Sequence, residues 1–170
     1  MDVFEAIRKR RSIRRYEKKA IEKEKLLKVL EAARLAPSAA NRQPWSFIVV
    51  TDSKVKKSLR SAYNANWFVS APIIIVGCIF PEKAWIRQDG EEYWKIDIAI
   101  AMQNLILEAW EQGLGTCWIG DFNEREAKAA LGIPADVRVV AMTPLGYPSI
   151  QKSAITDRKP LEKIIHYEHW

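Results

Sequence analysis

The chain has 170 residues, of which 48% are hydrophobic and 28% are charged. This composition can fill one hydrophobic core and excludes a disordered chain. The net charge of +6 favours an anionic partner, and charge alone leaves nucleic acid, acidic lipid and a phosphate-bearing molecule open. Cys78 and Cys117 lie in apolar stretches, which favours buried, reduced thiols and a cytoplasmic protein.

The first half of the chain alternates predicted helices and strands. Asp2 and Glu5 have the spacing of a capping box for a first helix that ends near Arg10, with Phe4 and Ile7 on its inward face. A second helix over residues 21–35 ends before Pro37. Residues 47–50 and 72–79 are short β-branched runs typical of buried strands, with a helical segment from Ser53 between them.

The second half begins with the most apolar segment, residues 93–110, which includes Lys95, Asp97 and Glu108. These charges argue against a membrane span, and we expect a central helix surrounded by protein. Residues 116–119 and 137–143 predict two further strands, separated by a helix that Asn123 caps and Gly132 ends. The fold class is α+β. We expect a single domain over residues 1–170, with a C-terminal arm from about residue 146 to 170.

The run of basic residues from Arg8 to Arg15 is interrupted by Ser12 and Ile13. Several arginine forks and a hydroxyl on one short turn provide the charge-assisted donors that a phosphate monoester requires. The cations also offset the partial negative charge at the end of the first helix. A solvated basic turn or a nucleic-acid patch explains this run equally well.

The segment Arg10-Arg11-Ser12-Ile13-Arg14 resembles the opening signature of the nitroreductase family. The resemblance implies a mainly antiparallel central sheet flanked by helices, and a homodimer with FMN at the subunit interface. It makes Arg10, Arg11 and Ser12 ligands of the flavin phosphate and ribityl chain, and places Arg14 at the pyrimidine edge. A fixed cation there would favour the negative charge that reduction adds to the ring.

A second segment, from Ala36 to Trp45, resembles the family's Ala-Pro-Ser-x-x-Asn-x-Gln-Pro-Trp loop, which packs on the flavin of the other subunit. The resemblance brings Pro37, Ser38 and Ala39 to the flavin, with Asn41 and Gln43 bracing the loop. Small side chains allow backbone to approach a flat ring. A helix-ending turn before an edge strand would explain a Pro-Ser pair alone.

Three further matches complete the implied flavin site, and a plain helix-to-strand turn would also explain the first of them. Residues 113–121 resemble the segment beside flavin N5, where the amide of Gly120 or Asp121 would donate. The matches supply these candidate cofactor-binding residues: Trp118, Ile119, Gly120 and Asp121 beside N5, Asn64 and Asn66 at the pyrimidine, and Arg158 and Lys159 of the arm at the phosphate. Residues 164–167 of the arm could add a strand to the partner's sheet.

The resemblance implies an NAD(P)H-dependent FMN oxidoreductase. NADH or NADPH would reduce the flavin and leave before a small acceptor, such as a nitroaromatic or a quinone, is reduced in a ping-pong sequence. No catalytic side chain, metal, nucleic acid or membrane is expected. Residues 81–93 form a short lid region, in which Trp85 could stack on acceptors or anchor the loop. The alternatives are dehalogenation or flavin breakdown on the same fold, flavin binding without turnover, and a non-enzymatic nucleic-acid-binding module.

Overall fold

Four strands form one antiparallel sheet in the computed structural model, which describes residues 2–153, 155 and 157–170. Their order across the sheet is β1-β2-β4-β3, and Val50 of β1 faces Ile74 while Leu145 of β4 faces Ile73. The strands are β1 (Trp45–Val50), β2 (Ile73–Ile79), β3 (Gly115–Thr116) and β4 (Arg138–Gly146). The predicted α+β class with an antiparallel sheet is confirmed.

Within the described chain six helices surround the sheet, and side chains cap the first, third and sixth of them. They are α1 (Val3–Lys9), α2 (Lys23–Arg34), α3 (Ser53–Ser58), α4 (Asn66–Val69), α5 (Trp94–Glu111) and α6 (Glu124–Leu131). The Glu5 amide donates to the Asp2 side chain over 2.7 Å, as the predicted cap requires. Asn123 caps α6 through the Glu126 amide, and Gly132 ends it with a φ of 65°.

The central strand β2 is buried along its whole length. Because side chains alternate across a strand, Ile73 and Ile75 pack with α2 and α5, while Ile74 and Val76 pack with Leu59 and Phe68 beneath the opposite face. Full burial of each such side chain contributes about 1.5–3 kcal/mol. The core therefore lies on both faces of the sheet.

Two predicted inward-facing surfaces are in fact exposed. The prediction that Phe4 and Ile7 face inward is wrong, since they are 72% and 53% exposed and Ala6 is the residue that α1 buries. Helix α5 buries Ile98 and Leu105 as expected, yet Ile96 is 42% exposed. The prediction that protein surrounds α5 on all sides is therefore wrong for this chain alone.

The predicted third strand is longer than the observed one. Strand β3 ends at Thr116 because the Cys117 amide donates to the Thr143 hydroxyl, 3.2 Å away, instead of to a strand carbonyl. Ile119 then pairs with Met142, through backbone hydrogen bonds of 2.8 and 3.0 Å. Residues 117 and 118 are therefore irregular.

The last residues of the chain extend away from the core. Among residues 157–170 the regular element is a 3₁₀ turn at Leu161–Lys163, and every side chain is exposed. Ala154 and Thr156 of the predicted arm lie outside the described residues. The pairing of residues 164–167 with a second subunit stays a prediction.

Cys78 and Cys117 are free and buried, as the sequence indicates. Burial raises the pKa of the Cys78 thiol to about 11. No helix within the described ranges is long and apolar enough to cross a bilayer. The same residues contain no group of three or more His, Cys, Asp or Glu side chains suited to hold a metal.

Candidate functional site

The basic turn after α1 is anchored to the edge of the sheet by Ile13, which is buried. The Ile13 amide donates to the Thr116 carbonyl over 2.8 Å, and Ser12 forms a parallel bridge with Thr116. A Cβ at Gly115 would lie 2.6 Å from the Ile13 side chain, so only glycine permits this approach. The alternation along the turn buries residue 13 and leaves Ser12 half-buried and Arg14 exposed.

Arg11 is used inside the structure. It is 6% exposed, and its guanidinium donates to the carbonyls of Arg8, Arg10 and Ser153 over 2.8, 2.6 and 2.8 Å. Three charge-assisted hydrogen bonds to backbone oxygens fix the turn and join it to the chain 142 residues later. Arg11 therefore shapes the turn that carries the other predicted phosphate ligands.

The start of the arm pairs with the basic turn. The Glu17 amide donates to the Tyr147 carbonyl over 2.9 Å, and the Ser149 amide donates to the Arg15 carbonyl over 3.1 Å. Lys152 Nζ donates to the Ser12 carbonyl over 2.7 Å. Sequence reasoning missed Lys152, because a single lysine in a charged tail has no distinguishing pattern.

Positive charges converge at this turn. Burial of Arg10, followed by the charges of Arg11 and Arg158, lowers the pKa of the Arg10 guanidinium. No carboxylate in the described part of the chain forms an ion pair with Arg10. A cavity of about 580 Å³ beside it is lined by Arg11, Ser12, Arg14, Gln151, Lys152, Ser153 and Ile155. Its lining holds three cations and no acid, which suits an anion.

The loop after α2 has an unusual backbone. Ala40, Asn41 and Gln43 have φ values of 51°, 53° and 47°, the left-handed region that costs a residue with a Cβ about 1–2 kcal/mol. Within the loop, the Gln43 amide donates to Ser38 Oγ over 2.9 Å, and Gln43 Nε2 donates to Asn41 Oδ1 over 3.1 Å. Asn41 and Gln43 are thus in contact. Pro37 is exposed beside them.

Several hydrogen bonds join this loop to other parts of the protein, including one of 2.9 Å from the Phe80 amide to the Pro44 carbonyl at its end. The Ala39 amide donates to Asp97 Oδ1 over 2.9 Å, and Arg42 Nη1 donates to the Ala84 carbonyl over 2.8 Å. A hydrogen bond to a buried carboxylate contributes about 1.5–3 kcal/mol, comparable to the cost of one or two left-handed residues. The support of the loop by Asp97 could not be predicted, because the two lie 58 residues apart.

The third predicted segment presents backbone to solvent. Ile119 buries its side chain in the core and pairs its backbone with Met142, so its N–H is already used, whereas Trp118 is 40% exposed. Gly120 and Asp121 are exposed, and no group in the described chain accepts a hydrogen bond from either amide. These two N–H groups are therefore available as donors.

The segment with Asn64 and Asn66 lies near the basic turn through Arg14, whose guanidinium is 5.8 Å from the centre of the Trp67 ring. Asn66 begins α4, and its side-chain oxygen accepts from Arg60 Nη2 over 2.7 Å. Asn64 is exposed. The structure thus connects Arg10, Ser12, Arg14 and the start of α4, while Lys159 is an exposed neighbour of Arg158.

The fold and these contacts define an α+β protein with a cavity lined by cations. The protein also has a loop of small side chains that exposes its backbone, and two amide donors without partners in the described chain, at Gly120 and Asp121. Guanidinium groups without carboxylate partners fit a phosphate, and exposed amides fit the heteroatoms of a flat polar ring. The donor set therefore fits a flavin mononucleotide.

The profile of the Nitroreductase family matches residues 7–72 and 60–147. The chain is 37% identical, over 95% of its length and 94% of the relative's, to a putative NADH dehydrogenase/NAD(P)H nitroreductase of Archaeoglobus fulgidus. A nitroreductase family protein from Clostridium difficile 630 has a TM-score of 0.92 and 34% identity, with both chains fully covered. An FMN-dependent nitroreductase from Clostridium difficile R20291 has a TM-score of 0.85 and 32% identity, covering 98% of this chain and 99% of that one. The chain belongs to the Nitroreductase family.

Proposed function

We propose that this protein is an FMN-dependent oxidoreductase that transfers reducing equivalents from NADH or NADPH to a small electron acceptor, such as a nitroaromatic or a quinone, in a ping-pong sequence. The observation that carries the proposal is the cavity lined by Arg11, Ser12, Arg14 and Lys152 with no acidic side chain in its lining, at the turn where the charge of Arg158 contributes to lowering the pKa of Arg10. The names of the similar nitroreductases support it. We further propose a cytoplasmic protein with one domain over residues 1–170.

FMN, when bound, supplies the redox chemistry by taking a hydride from the reduced nicotinamide and passing it to the second substrate. The chain's residues bind and orient it. Arg10, Ser12 and Arg158 would hold the phosphate, with Arg11 fixing the turn and Lys159 as a further cation. Arg14 would stabilise negative charge on the ring, and the Gly120 or Asp121 amide would orient it. No side chain need move a proton.

We also propose a homodimer, because large apolar side chains are exposed on α1, α2 and α5, which pack beside one another. We name this the helical face; it comprises Val3, Phe4, Ile7, Leu27, Leu35 and Ile96, and it includes a groove of about 420 Å³ between α1 and α5. A patch of this kind on a monomer is a marker of a protein interface. We propose that the partner at the helical face is a second copy of this chain. The loop from Ser38 to Gln43 of one subunit would then contact the flavin of the other.

Spectroscopy tests the cofactor and turnover together. Purified protein should show oxidised flavin bands, release FMN on denaturation, and lose its colour when mixed anaerobically with NADH or NADPH. A colourless protein that takes up no FMN would overturn the proposal. If bound flavin kept its colour after anaerobic mixing with NADH and NADPH, the protein would be a flavin-binding protein without turnover. Retention of nucleic acid by flavin-free protein, weakening steeply with salt, would favour the nucleic-acid-binding alternative.

Dehalogenation is a second candidate because human iodotyrosine deiodinase 1 is 28% identical over 96% of this chain and 68% of that protein. The lid region here is short, with a 3₁₀ turn at Pro81–Lys83 and a bridge between Ile86 and Glu92. Trp85 packs on Tyr93 at 4.9 Å between ring centres, which favours the anchoring role. Release of iodide from iodotyrosine by the reduced enzyme would favour this candidate.

The phosphate assignment is tested by Arg10→Ala. Loss of one set of charge-assisted contacts should weaken FMN binding by about 1.5–3 kcal/mol, measured by titrating flavin-free protein with FMN and following fluorescence quenching. Arg15→Ala is the matched control, because Arg15 is an exposed arginine of the same turn. Equal affinities in Arg10→Ala and wild type would remove Arg10 from the phosphate site.

A further inference from the structure

Asp97 is a buried carboxylate that the proposed chemistry does not use. It lies in the first turn of α5 and is 1% exposed. Its Oδ1 accepts the Ala39 amide over 2.9 Å, while its buried Oδ2 has no hydrogen-bond partner among the described residues. A buried polar oxygen without a hydrogen-bond partner costs free energy, so the position of Asp97 calls for an explanation.

The role of Asp97 is indicated by the backbone that it binds, at Ala39. Directly after Ala39 the chain enters the left-handed region at Ala40 and Asn41, and it returns there at Gln43. Alanine gains nothing from this conformation, so the loop would relax unless its surroundings determined it. The contacts of Ser38, Asn41 and Gln43 are internal to the loop and can move with it.

The loop is attached elsewhere as well. The Arg42 bond to the Ala84 carbonyl comes from an exposed side chain, and the Phe80 amide bonds the Pro44 carbonyl only after the left-handed residues. Asp97 belongs to α5, which packs against α2 and the sheet. Its bond is to the backbone directly before the left-handed segment. Asp97 is therefore the attachment that fixes the start of this segment to the core.

We propose that Asp97 is a positioning residue for the flavin: its bond to the Ala39 amide holds Ala40 and Asn41 in the left-handed conformation that brings their backbone to the partner's flavin ring. This inference rests on the proposed function for the identity of the ligand. The role is structural support of the binding loop, and Asp97 need not contact the flavin.

Two variants remove the same bond from opposite ends. Asp97→Ala deletes the acceptor, and Ala39→Pro deletes the donor at the first residue of a 3₁₀ turn, a position that accepts proline. Each should raise the FMN dissociation constant by about tenfold or more, and the double variant should be no worse than either single one. Asp97→Asn keeps an acceptor oxygen and should restore affinity to within about threefold of wild type.

Ile98→Val is the matched control, since Ile98 is the fully buried neighbour on α5. It should lower thermal stability and leave the FMN dissociation constant unchanged. Asp97→Ala that loses stability while binding FMN within about twofold of wild type would overturn the proposal. The proposal would also be overturned if Asp97→Asn bound FMN as weakly as Asp97→Ala, because an acceptor oxygen at this position would then not be enough to support binding.

Hydrogen exchange on flavin-free protein separates this inference from the proposed function. The amides of residues 39–43 should exchange faster in Asp97→Ala than in wild type, with no change in β2. If wild-type protein bound no FMN, the proposed function and the flavin role of Asp97 would both fail, while faster exchange would still show that Asp97 holds the loop. If wild-type protein bound FMN but the amides of residues 39–43 exchanged no faster in Asp97→Ala than in wild type, the inference alone would be overturned.

Discussion

Gly115→Ala tests the coupling between the sheet edge and the basic turn. An added Cβ would lie 2.6 Å from Ile13 Cγ1, 2.8 Å from Cβ and 3.0 Å from Cγ2. All three distances are shorter than carbon atoms tolerate. Because Ile13 is buried and its amide donates to Thr116, the side chain cannot rotate away without moving Ser12 and Arg14.

The expected cost is that of overpacking a core, about 1–3 kcal/mol of unfolding free energy. Ile13→Ala removes the two γ carbons that clash and should cost about 2–5 kcal/mol by itself. The double variant should cost less than the sum of the two single variants by about 0.5–3 kcal/mol, because two of the three close contacts are then removed and only the contact with Cβ of residue 13 remains.

Urea denaturation followed by tryptophan fluorescence measures these free energies, and titration with FMN measures the displacement of the turn. Gly115→Ala should weaken FMN binding as well as stability. Gly132→Ala is a suitable control, since nothing lies within 4 Å of its added Cβ and its φ of 65° should cost stability without weakening FMN binding. Strict additivity in the double variant, or a Gly115→Ala protein as stable as wild type, would refute this reasoning.

Two further predictions concern the helical face and an ion pair. Phe4→Glu should raise the dimer dissociation constant at least about tenfold in sedimentation velocity and release FMN, whereas Val55→Glu on α3 should do neither; a fully dimeric Phe4→Glu would argue against this interface. The ion pair with Arg138 lowers the pKa of Glu124 below its ordinary 4.5, and the hydrogen bond from the Val139 amide adds a smaller effect. The stabilisation of the folded state by this pair is therefore present above pH 4.5 and is lost as the pH falls through the lowered pKa. Glu124→Gln should therefore lower the free energy of unfolding in urea by about 1–3 kcal/mol at pH 7 and by progressively less as the pH falls below 4.5, and a cost that does not change with pH would contradict the assignment.

The elements of the fold were predictable where one local rule determines them. Asp2 and Asn123 cap α1 and α6 because a short acceptor precedes each helix, and Gly132 ends α6 because it adopts a positive φ cheaply. The β-branched run of β2 is buried on both faces, as its composition indicates. Such features depend on neighbours within four residues of each other.

Burial and support depend on distant residues and were harder to predict. The pattern in α1 shows that Phe4 and Ile7 share a face, and it cannot show whether that face meets this chain or another molecule. The bonds from Asp97 to Ala39 and from Lys152 to Ser12 join residues 58 and 140 positions apart, and no sequence spacing encodes them. The family's motifs identify the candidate ligands, while the structure reveals what holds them.

The pairing of residues 11–17 with residues 147–153 has a consequence for synthesis of the protein. The first turn leaves the ribosome early, but the Ser153 carbonyl that Arg11 binds is made 142 residues afterwards. Loop closure over almost the whole chain must therefore precede completion of the turn. In a polypeptide that has not yet reached Ser153, the Arg11 side chain would lack this partner and the basic turn would not be held in place. We therefore expect cofactor uptake only after residue 153 has been made.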